Sequence, residues 1–131
     1  RLCLELSKHP EAFVYTSTQK KPFRQGDKPF VMETHNHLLK NFDGCDGFKT
    51  GYYRTAGYSC AVTAQRNGRR IIAVVLGTFI AGGDLRASRA LRDTKAAELL
   101  AKGFVALPAA ATPAAAPPAP AGSSARPFPW R

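Results

Sequence analysis

The sequence predicts a mixed α/β fold in which an antiparallel sheet lies between helical layers. Two apolar segments separated by Asn67-Gly68 predict a β-hairpin over residues 58–77, because both turn residues tolerate the positive φ angles of a type I′ turn. The second strand, residues 69–77, is apolar on both of its faces, which predicts cover above and below it. A helical pattern follows at residues 84–102. Together these features predict a layered sheet with helices on each side.

The elements before this hairpin have weaker signals. Alternating leucines at residues 2–6, followed by Pro10, are typical of the end of a helix that is already under way at the first residue. Two Lys-Pro-Phe sequences flank Gln25-Gly26-Asp27. They predict an exposed hairpin or a long loop over residues 20–34.

The helix at residues 84–102 has signals at both of its ends. Asp84 or Ser88 can cap its start, and Gly103 suits its end. Apolar or small residues recur on one helical face at positions 96, 99, 100, 103 and 104. This spacing predicts an amphipathic helix.

Length and composition narrow the class of protein. A chain of 131 residues with 44% apolar content suffices for one core and excludes a multi-domain protein. No apolar run approaches the roughly 18 residues of a membrane-spanning helix, and residues 1–30 contain no secretory signal pattern. A formal net charge of +10 favours anionic partners. The basic residues are dispersed and no nucleic-acid-binding motif is present, so we expect no nucleic acid partner.

The composition changes at Pro108. From there the sequence is almost entirely Ala, Pro, Gly and Ser, with a short aromatic and basic end. Such a segment cannot bury a core, and its prolines favour an extended spacer. We therefore expect a folded region at residues 1–107 and a Pro/Ala-rich disordered linker or tail at residues 108–131.

The cysteines and histidines do not form a recognisable catalytic or metal site. Cys3, Cys45 and Cys60 lack the spacing of a zinc site, and at most one disulfide could form among them. Cys45 lies in a Gly-Cys-Asp-Gly turn and Cys60 in an apolar strand, where cysteine usually acts as a small hydrophobe. His35 and His37 would share a strand face, but no third ligand is evident. A structural role is favoured for both histidines, and no metal site is expected.

The segment from Asp46 to Tyr52 carries the clearest chemical signal. Its Lys49-Thr50-Gly51 triplet is the third signature of the penicillin-interacting serine enzymes, although the triplet alone also fits an exposed strand edge. The surrounding stretch, residues 34–77, closely resembles the corresponding segment of the serine-type D-Ala-D-Ala carboxypeptidases. These are the low-molecular-mass penicillin-binding proteins of the S11 peptidase family. The resemblance extends from about Glu11 to Leu107.

The resemblance implies a fold and a location. The fold would be a β-lactamase and transpeptidase-like three-layer αβα sandwich around an antiparallel sheet, of which this chain carries the C-terminal portion. Lys49-Thr50-Gly51 would lie on the strand that forms one wall of the active site. The implied location is the cell envelope, periplasmic or extracytoplasmic, with a signal peptide upstream of this sequence. The family requires no metal or organic cofactor.

A substrate that ends in a free carboxylate explains these residue types. Lys49 and Thr50 together supply positive charge and a directional hydroxyl donor. Gly51 leaves room for a substrate backbone beside the strand. The resemblance further implies that the backbone N–H of Tyr52 helps to form an oxyanion hole.

The last helix offers an arginine for the same carboxylate. Residues 92–104 resemble the last helix of the family's catalytic domain, at whose start an arginine binds the terminal carboxylate of the peptide. A planar guanidinium can meet a carboxylate through two hydrogen bonds. The resemblance therefore assigns this role to Arg92, with Arg86 and Arg89 near enough in sequence to compete for the match.

The nucleophile of the family has no counterpart in this sequence. The family's serine belongs to a Ser-x-x-Lys motif at the start of a helix far upstream, and no Ser-x-Asn element is present here. One literal match, Ser17 to Lys20, lies among strand-forming residues shortly before Pro22, where a catalytic helix cannot easily run. We therefore expect this match to be accidental.

The implied reaction is the release of the terminal D-alanine from peptidoglycan pentapeptides ending in D-Ala-D-Ala, through an acyl-enzyme that β-lactams would also form as inhibitors. It needs the N-terminal half of the catalytic domain as a partner, and we expect this chain alone to be inactive. The alternative is a non-catalytic remnant that binds peptidoglycan peptides.

Overall fold

The computed structural model describes residues 1–26 and 28–107, and the tail predicted from Pro108 onwards lies outside these residues. Four helices and five strands occur in this part of the chain. In order they are α1 (Leu2–Leu6), α2 (Pro10–Thr16), β1 (Lys20–Arg24), β2 (Phe30–Glu33), α3 (Leu38–Asn41), β3 (Cys45–Tyr53), β4 (Gly57–Arg66), β5 (Arg69–Thr78) and α4 (Leu85–Ala106).

The main sheet is antiparallel and has the strand order β3-β4-β5. The turn between β4 and β5 has φ angles of 48° at Asn67 and 72° at Gly68, which is the positive pair that a type I′ turn requires. The predicted hairpin is therefore confirmed. Strand β3 pairs with β4 along its whole length, from Cys45 opposite Ala64 to Tyr53 opposite Gly57.

The core lies between this sheet and α4. Its buried residues come from α3, β4, β5 and α4: Leu38, Cys60, Val62, Ala64, Ile71, Ala73, Val75, Ala96 and Leu100. Asp84 caps α4 as predicted, because its carboxylate accepts a hydrogen bond of 2.7 Å from the backbone N–H of Ala87.

Gly103 does not end helix α4, so that prediction is wrong. The helix continues to Ala106, and Gly103 instead lies where α4 approaches β5 closely. A Cβ atom at this position would be 2.6 Å from Cγ2 of Ile71. The end of α4 is held by Arg69, whose Nη1 donates to the carbonyls of Phe104 (2.9 Å) and Leu107 (2.7 Å).

Among the described residues, the predicted cover on both faces of β5 is wrong for the part of the strand around Val74 and Leu76. Val75 is buried against the core, but Val74 and Leu76, which point the other way, are 49% and 76% exposed. Near the turn, the open face carries a two-bond ion pair in which Arg70 donates to both carboxylate oxygens of Asp46 at 2.8 Å. In this part of the chain, α4 covers one face of the sheet, and the opposite face is covered near the turn, where the Phe13 ring of α2 lies 4.0 Å from the guanidinium carbon of Arg70.

The N-terminal part packs on the start of β3. Helix α2 was not expected from the sequence; its Phe13 ring lies 5.6 Å from the Phe48 ring, and its Thr16 hydroxyl donates to the carbonyl of Asp46 (2.8 Å). Strands β1 and β2 form the predicted exposed hairpin as a separate two-stranded sheet. Among the helices of residues 1–26 and 28–107, none combines the length and apolar character needed to cross a bilayer.

Candidate active site

A cavity of about 730 Å³ opens at the outer edge of β3. The five residues predicted from the sequence all line it: Lys49, Thr50, Gly51, Tyr52 and Arg92. They come from one strand and from a helix that lies beyond the next two strands in the chain. The fold thus brings Arg92 together with strand residues that lie 40 or more positions before it in the sequence.

Strand β3 presents its side chains to opposite sides of the sheet. Thr50 lies opposite Cys60, which is buried in the core below α4, and Lys49 lies opposite Ala61. Directly opposed residues share a face, so Thr50 is on the α4 side and Lys49 is on the open side. The Lys49 ammonium donates to the backbone carbonyl of Thr50.

The outer edge of β3 is available to a ligand. In the described residues no strand pairs with this edge, so its backbone N–H and C=O groups can pair with an extended peptide. No atom lies within 4 Å of a Cβ atom built on Gly51. The open space that the sequence predicted beside Gly51 is present.

Arg92 is buried in the wall of the cavity, with 2% of its surface exposed. Its Nε and Nη2 atoms donate to Oδ1 of Asp93 at 2.9 and 2.6 Å, and Nη2 also lies 3.4 Å from the carbonyl of His35. Its guanidinium carbon is 5.9 Å from the ring centre of Tyr58. Three groups therefore fix this side chain in place before any ligand binds.

The turn at residues 35–37 joins β3 to α4. The buried Asn36 side chain donates to the carbonyl of Gly47 (3.3 Å) and accepts from the N–H of Leu38 (3.3 Å). His37 Nδ1 is 2.9 Å from Oδ2 of Asp93. The predicted structural role of this turn is confirmed. In residues 1–26 and 28–107 no group of three or more His, Cys, Asp or Glu side chains could hold a metal ion.

Several lining residues were missed by the sequence reasoning. They are Glu33, Thr34, Phe48 and Tyr58, whereas Arg89, which competed with Arg92 for the match in the sequence, lines the cavity as well. Tyr58 stacks on Tyr52 with ring centres 4.4 Å apart, and its place opposite Tyr52 follows from the hairpin register. Glu33 and Thr34 reach the cavity through the packing of the β1–β2 hairpin, for which the local sequence contains no signal.

The cavity wall has an excess of positive charge. Lys49, Arg89 and Arg92 line it together with a single carboxylate, that of Glu33. Lys20 forms a 2.5 Å ion pair with Glu33, and its hydrogen bond and charge hold the pKa of Glu33 below the ordinary value. An anionic ligand matches this surface.

Three candidate nucleophiles in the described residues are Ser17, Cys45 and Cys60, and none of them lines this cavity. Ser17 follows the last residue of α2, and its hydroxyl donates to the carbonyl of Phe13 at 2.6 Å. The expectation that Ser17 lies among strand residues is wrong, because Ser17 is at the C-terminal end of helix α2. Ser17 is not among the residues that line the cavity. Burial raises the pKa values of Cys45 and Cys60, which lowers the thiolate fraction that a nucleophile needs.

The family assignment of this chain follows from a match over more than half of its sequence. The sequence profile of the peptidase S11 family, D-alanyl-D-alanine carboxypeptidase, matches residues 2–80. This chain therefore belongs to the D-alanyl-D-alanine carboxypeptidase family, as the resemblance indicated. D-alanyl-D-alanine carboxypeptidase DacF of Bacillus subtilis (strain 168) is 38% identical over 74 residues, which are 56% of this chain and 19% of DacF.

Solved structures agree with this assignment and confirm the predicted fold class. Penicillin-binding protein D2 from Listeria monocytogenes, in cefotaxime-bound and ampicillin-bound forms, has a TM-score of 0.57 at 35% identity, covering 76% of this chain and 36% of that protein. D-alanyl-D-alanine carboxypeptidase DacD from Francisella tularensis has a TM-score of 0.52 at 39% identity, covering 63% of this chain and 18% of DacD. The chain spans well under half the length of these relatives.

Proposed function

We propose that this chain forms the substrate-binding wall of a serine-type D-Ala-D-Ala carboxypeptidase that trims the terminal D-alanine of peptidoglycan stem peptides. The observation that carries the proposal is the convergence of Lys49-Thr50-Gly51 and Arg92 on one cationic cavity, in a chain that belongs to this family. The cell envelope, outside the cytoplasmic membrane, is the proposed location because the substrate is part of the cell wall.

Each wall residue has a defined role in the proposal. The peptide lies along the outer edge of β3 beside Gly51, where its backbone can pair with the strand. The Thr50 hydroxyl and Arg92 bind the terminal carboxylate, and Lys49 adds positive charge from the open side. The N–H of Tyr52 stabilises the oxyanion, a contribution of about 3 kcal/mol for a donor of this kind.

The proposed reaction proceeds through an acyl-enzyme. A serine Oγ, from a residue outside these 131, attacks the carbonyl carbon of the penultimate D-alanine and loses its proton to a base. The C–N bond breaks, the amine takes up a proton, and D-alanine leaves; water then hydrolyses the ester. This chemistry uses protein groups and water, without a cofactor. The bound cefotaxime and ampicillin of penicillin-binding protein D2 support β-lactams as inhibitors that acylate the same serine.

Penicillin labelling tests where the nucleophile lies. The 131-residue chain and the same chain joined to the nucleophile-bearing half are each incubated with fluorescent penicillin and measured by intact-mass spectrometry. We expect an adduct only on the joined protein, at a serine outside this sequence. A stable adduct at Ser17 of the shorter chain would contradict the proposal.

Substrate selectivity tests the carboxylate-binding role in the joined protein. Thr50→Ala and Arg92→Ala should each lower kcat/KM for peptides with a free terminal carboxylate by roughly tenfold or more, the range for a charge-assisted hydrogen bond. Peptides with a blocked end should lose much less. Thr55→Ala, in the exposed turn between β3 and β4, is the matched control. Equal losses on both peptides would remove Thr50 and Arg92 from this role.

A non-catalytic peptide-binding protein is the alternative. It is favoured by the presence of the cationic wall in a sequence that has neither a Ser-x-Asn element nor a Ser-x-x-Lys at the start of a helix. Saturable binding of a D-Ala-D-Ala peptide by the natural protein, with no release of D-alanine, would support this alternative over the enzyme.

A further inference from the structure

A second cavity of about 410 Å³ adjoins the candidate active site. Four residues line both cavities: Glu33, Thr34, Phe48 and Lys49. The rest of the second cavity is formed by residues from the end of α2 through the β1–β2 hairpin. The proposed function assigns no part of the substrate to this space.

The proposed roles of the β3 residues fix the direction in which the peptide lies. The N–H of Tyr52 receives the carbonyl oxygen of the penultimate residue, and Thr50, two positions earlier in β3, binds the terminal carboxylate. The peptide therefore runs antiparallel to β3, and its C-terminal end points towards Lys49 and Phe48. These two residues belong to the wall that both cavities share. The second cavity thus lies beside the terminal residue of the peptide, which is the group that leaves.

The terminal residue has a side chain that the carboxylate-binding residues do not use. Thr50 and Arg92 hold the carboxylate on the α4 side of β3, whereas Lys49 lies on the open side. The side chain on the same carbon atom can therefore extend away from Thr50, past Lys49 and into the second cavity. A methyl group would leave most of that cavity empty, and a longer side chain would fill more of it.

The lining of the second cavity combines apolar surface with positive charge. Its apolar side chains come from three different elements: Tyr15, Met32 and Phe48. Its charged side chains are three lysines and one glutamate: Lys20, Lys21, Lys49 and Glu33. Lys20 and Glu33 neutralise each other in their 2.5 Å ion pair, so the net charge of this lining is positive. An aliphatic side chain that ends in a carboxylate matches this combination.

Lys21 is the lysine of this cavity that has the most freedom to bind an anion. Lys20 is paired with Glu33, and Lys49 donates to the backbone carbonyl of Thr50. Over residues 1–26 and 28–107, the Lys21 ammonium forms neither a hydrogen bond nor an ion pair, and the residue is exposed. Its three N–H donors are therefore available to a ligand carboxylate.

We propose that the second cavity binds the side chain of the substrate's terminal residue and favours an acidic one, so that peptides ending in D-Ala-D-Glu are substrates as well as those ending in D-Ala-D-Ala. The α-carboxylate stays with Thr50 and Arg92, and the γ-carboxylate lies near Lys21. The reaction is unchanged: the serine is acylated, the C–N bond breaks, and D-glutamate leaves with the added proton on its amine. This assignment rests on the proposed function and extends its substrate class.

The test uses three peptides that differ only in their terminal residue, assayed on the protein joined to its nucleophile-bearing half. The terminal residues are D-alanine, D-glutamine and D-glutamate. Comparing D-glutamine with D-alanine measures the room for a side chain, and comparing D-glutamate with D-glutamine measures the effect of charge at nearly equal size.

Three variants are compared with the wild type: Lys21→Gln, Lys21→Glu and Lys28→Gln. Lys28 lies between β1 and β2, is exposed, and is not among the residues that line either cavity. Lys28→Gln therefore removes one charge from the same hairpin and serves as the matched control. Thermal unfolding midpoints check that each variant retains its fold.

The proposal predicts a charge preference that depends on Lys21. The wild type should cleave the D-glutamine peptide with a kcat/KM within about tenfold of that for the D-alanine peptide. Its kcat/KM for the D-glutamate peptide should exceed that for the D-glutamine peptide by roughly twofold to fivefold, the range for an exposed ion pair. Lys21→Gln should remove most of this preference, Lys21→Glu should reverse it, and Lys28→Gln should retain it.

Three results would overturn the proposal. The first is a wild type that does not prefer the D-glutamate peptide over the D-glutamine peptide. The second is a preference that Lys21→Gln leaves unchanged or that Lys28→Gln reduces equally. The third is a D-glutamine peptide cleaved more than about tenfold more slowly than the D-alanine peptide, because the second cavity would then be closed to a side chain in the joined protein.

A failure of the proposed function gives a different result. The wild-type joined protein then releases a terminal residue from none of the three peptides, and equilibrium binding of the same peptides replaces turnover as the measurement. The D-glutamate peptide should still bind roughly twofold to fivefold more tightly than the D-glutamine peptide, and Lys21→Gln should remove the difference. Equal binding of these two peptides by the wild type would overturn the role of the second cavity as well.

Discussion

The two faces of strand β5 have similar composition and different surroundings. Ile71, Ala73 and Val75 lie against the core that α4 covers, whereas Val74 and Leu76 face away from it and are largely exposed. The hydrophobic pattern alone predicted equal cover for both faces. The difference teaches that a strand with two apolar faces has two packing surfaces, one of which is unoccupied around Val74 and Leu76 in the described residues. An open apolar face of this kind marks a surface that another element or protein can cover.

The largest difference in stability should come from truncating one leucine on the core side of the sheet and one on its open side. Leu100 is fully buried and Leu76 is 76% exposed. Leu100→Ala should lower the free energy of unfolding by about 2–5 kcal/mol, because it removes buried methyl groups and leaves a cavity. Leu76→Ala should change it by less than about 0.5 kcal/mol. Urea unfolding of the chain measures both, and similar losses would mean that the open face is covered in solution.

Alanine substitutions at Gly103 and Gly51 compare the tight contact between α4 and β5 with the open edge of β3. Gly103→Ala gains helix propensity of up to about 1 kcal/mol, but its methyl group would lie 2.6 Å from Cγ2 of Ile71. Ile71 is β-branched and stiff, and overpacking costs about 1–3 kcal/mol, so we expect a net loss of about 1 kcal/mol. Gly51→Ala, with nothing within 4 Å of the added carbon, is the control and should have little effect on urea unfolding. A stabilised Gly103→Ala variant would show that Ile71 can move aside.

The smallest expected effect on stability concerns the open face itself. Leu76→Lys should change the free energy of unfolding by less than about 0.5 kcal/mol and should reduce self-association of the chain, because it interrupts an exposed apolar surface. Sedimentation velocity measures the association. Leu99→Lys, at a partly exposed leucine of α4, adds the same charge on the other side of the sheet. An equal reduction by both variants would attribute the effect to charge and not to the open face.

Local signals predicted the elements whose residues determine their own conformation. Asn67-Gly68 identified the hairpin, and Asp84 identified the start of α4. Helix α2 was missed because it is rich in strand-forming residues and has no side-chain cap. Its contacts with β3, through Phe13 and Thr16, are tertiary and cannot be inferred from the local pattern.

In the candidate site, too, the local sequence predicts individual residues and does not predict their tertiary contacts. The Lys49-Thr50-Gly51 motif and Arg92 could be proposed from sequence because each belongs to a recognisable segment. The pairing of Arg92 with Asp93 could not be inferred from the sequence. Residues three apart are neighbours on a helix surface, so the spacing of Arg89 and Arg92 does not say which of the two hydrogen-bonds to Asp93. Only the positions of Asp93, His35 and Tyr58 around the guanidinium separate the two arginines.

The hydrogen bonds from Arg69 to the end of α4 fix the position of Leu107, the last residue that the structure describes. Arg69 follows the β4–β5 turn, so Leu107 is held at that end of the sheet. Arg92 lies near the other end of the helix, roughly 20 Å away at about 1.5 Å of rise per residue. A dye, an affinity handle or a surface tether joined directly after Leu107 would therefore start from the end of the described structure that is remote from the cavity.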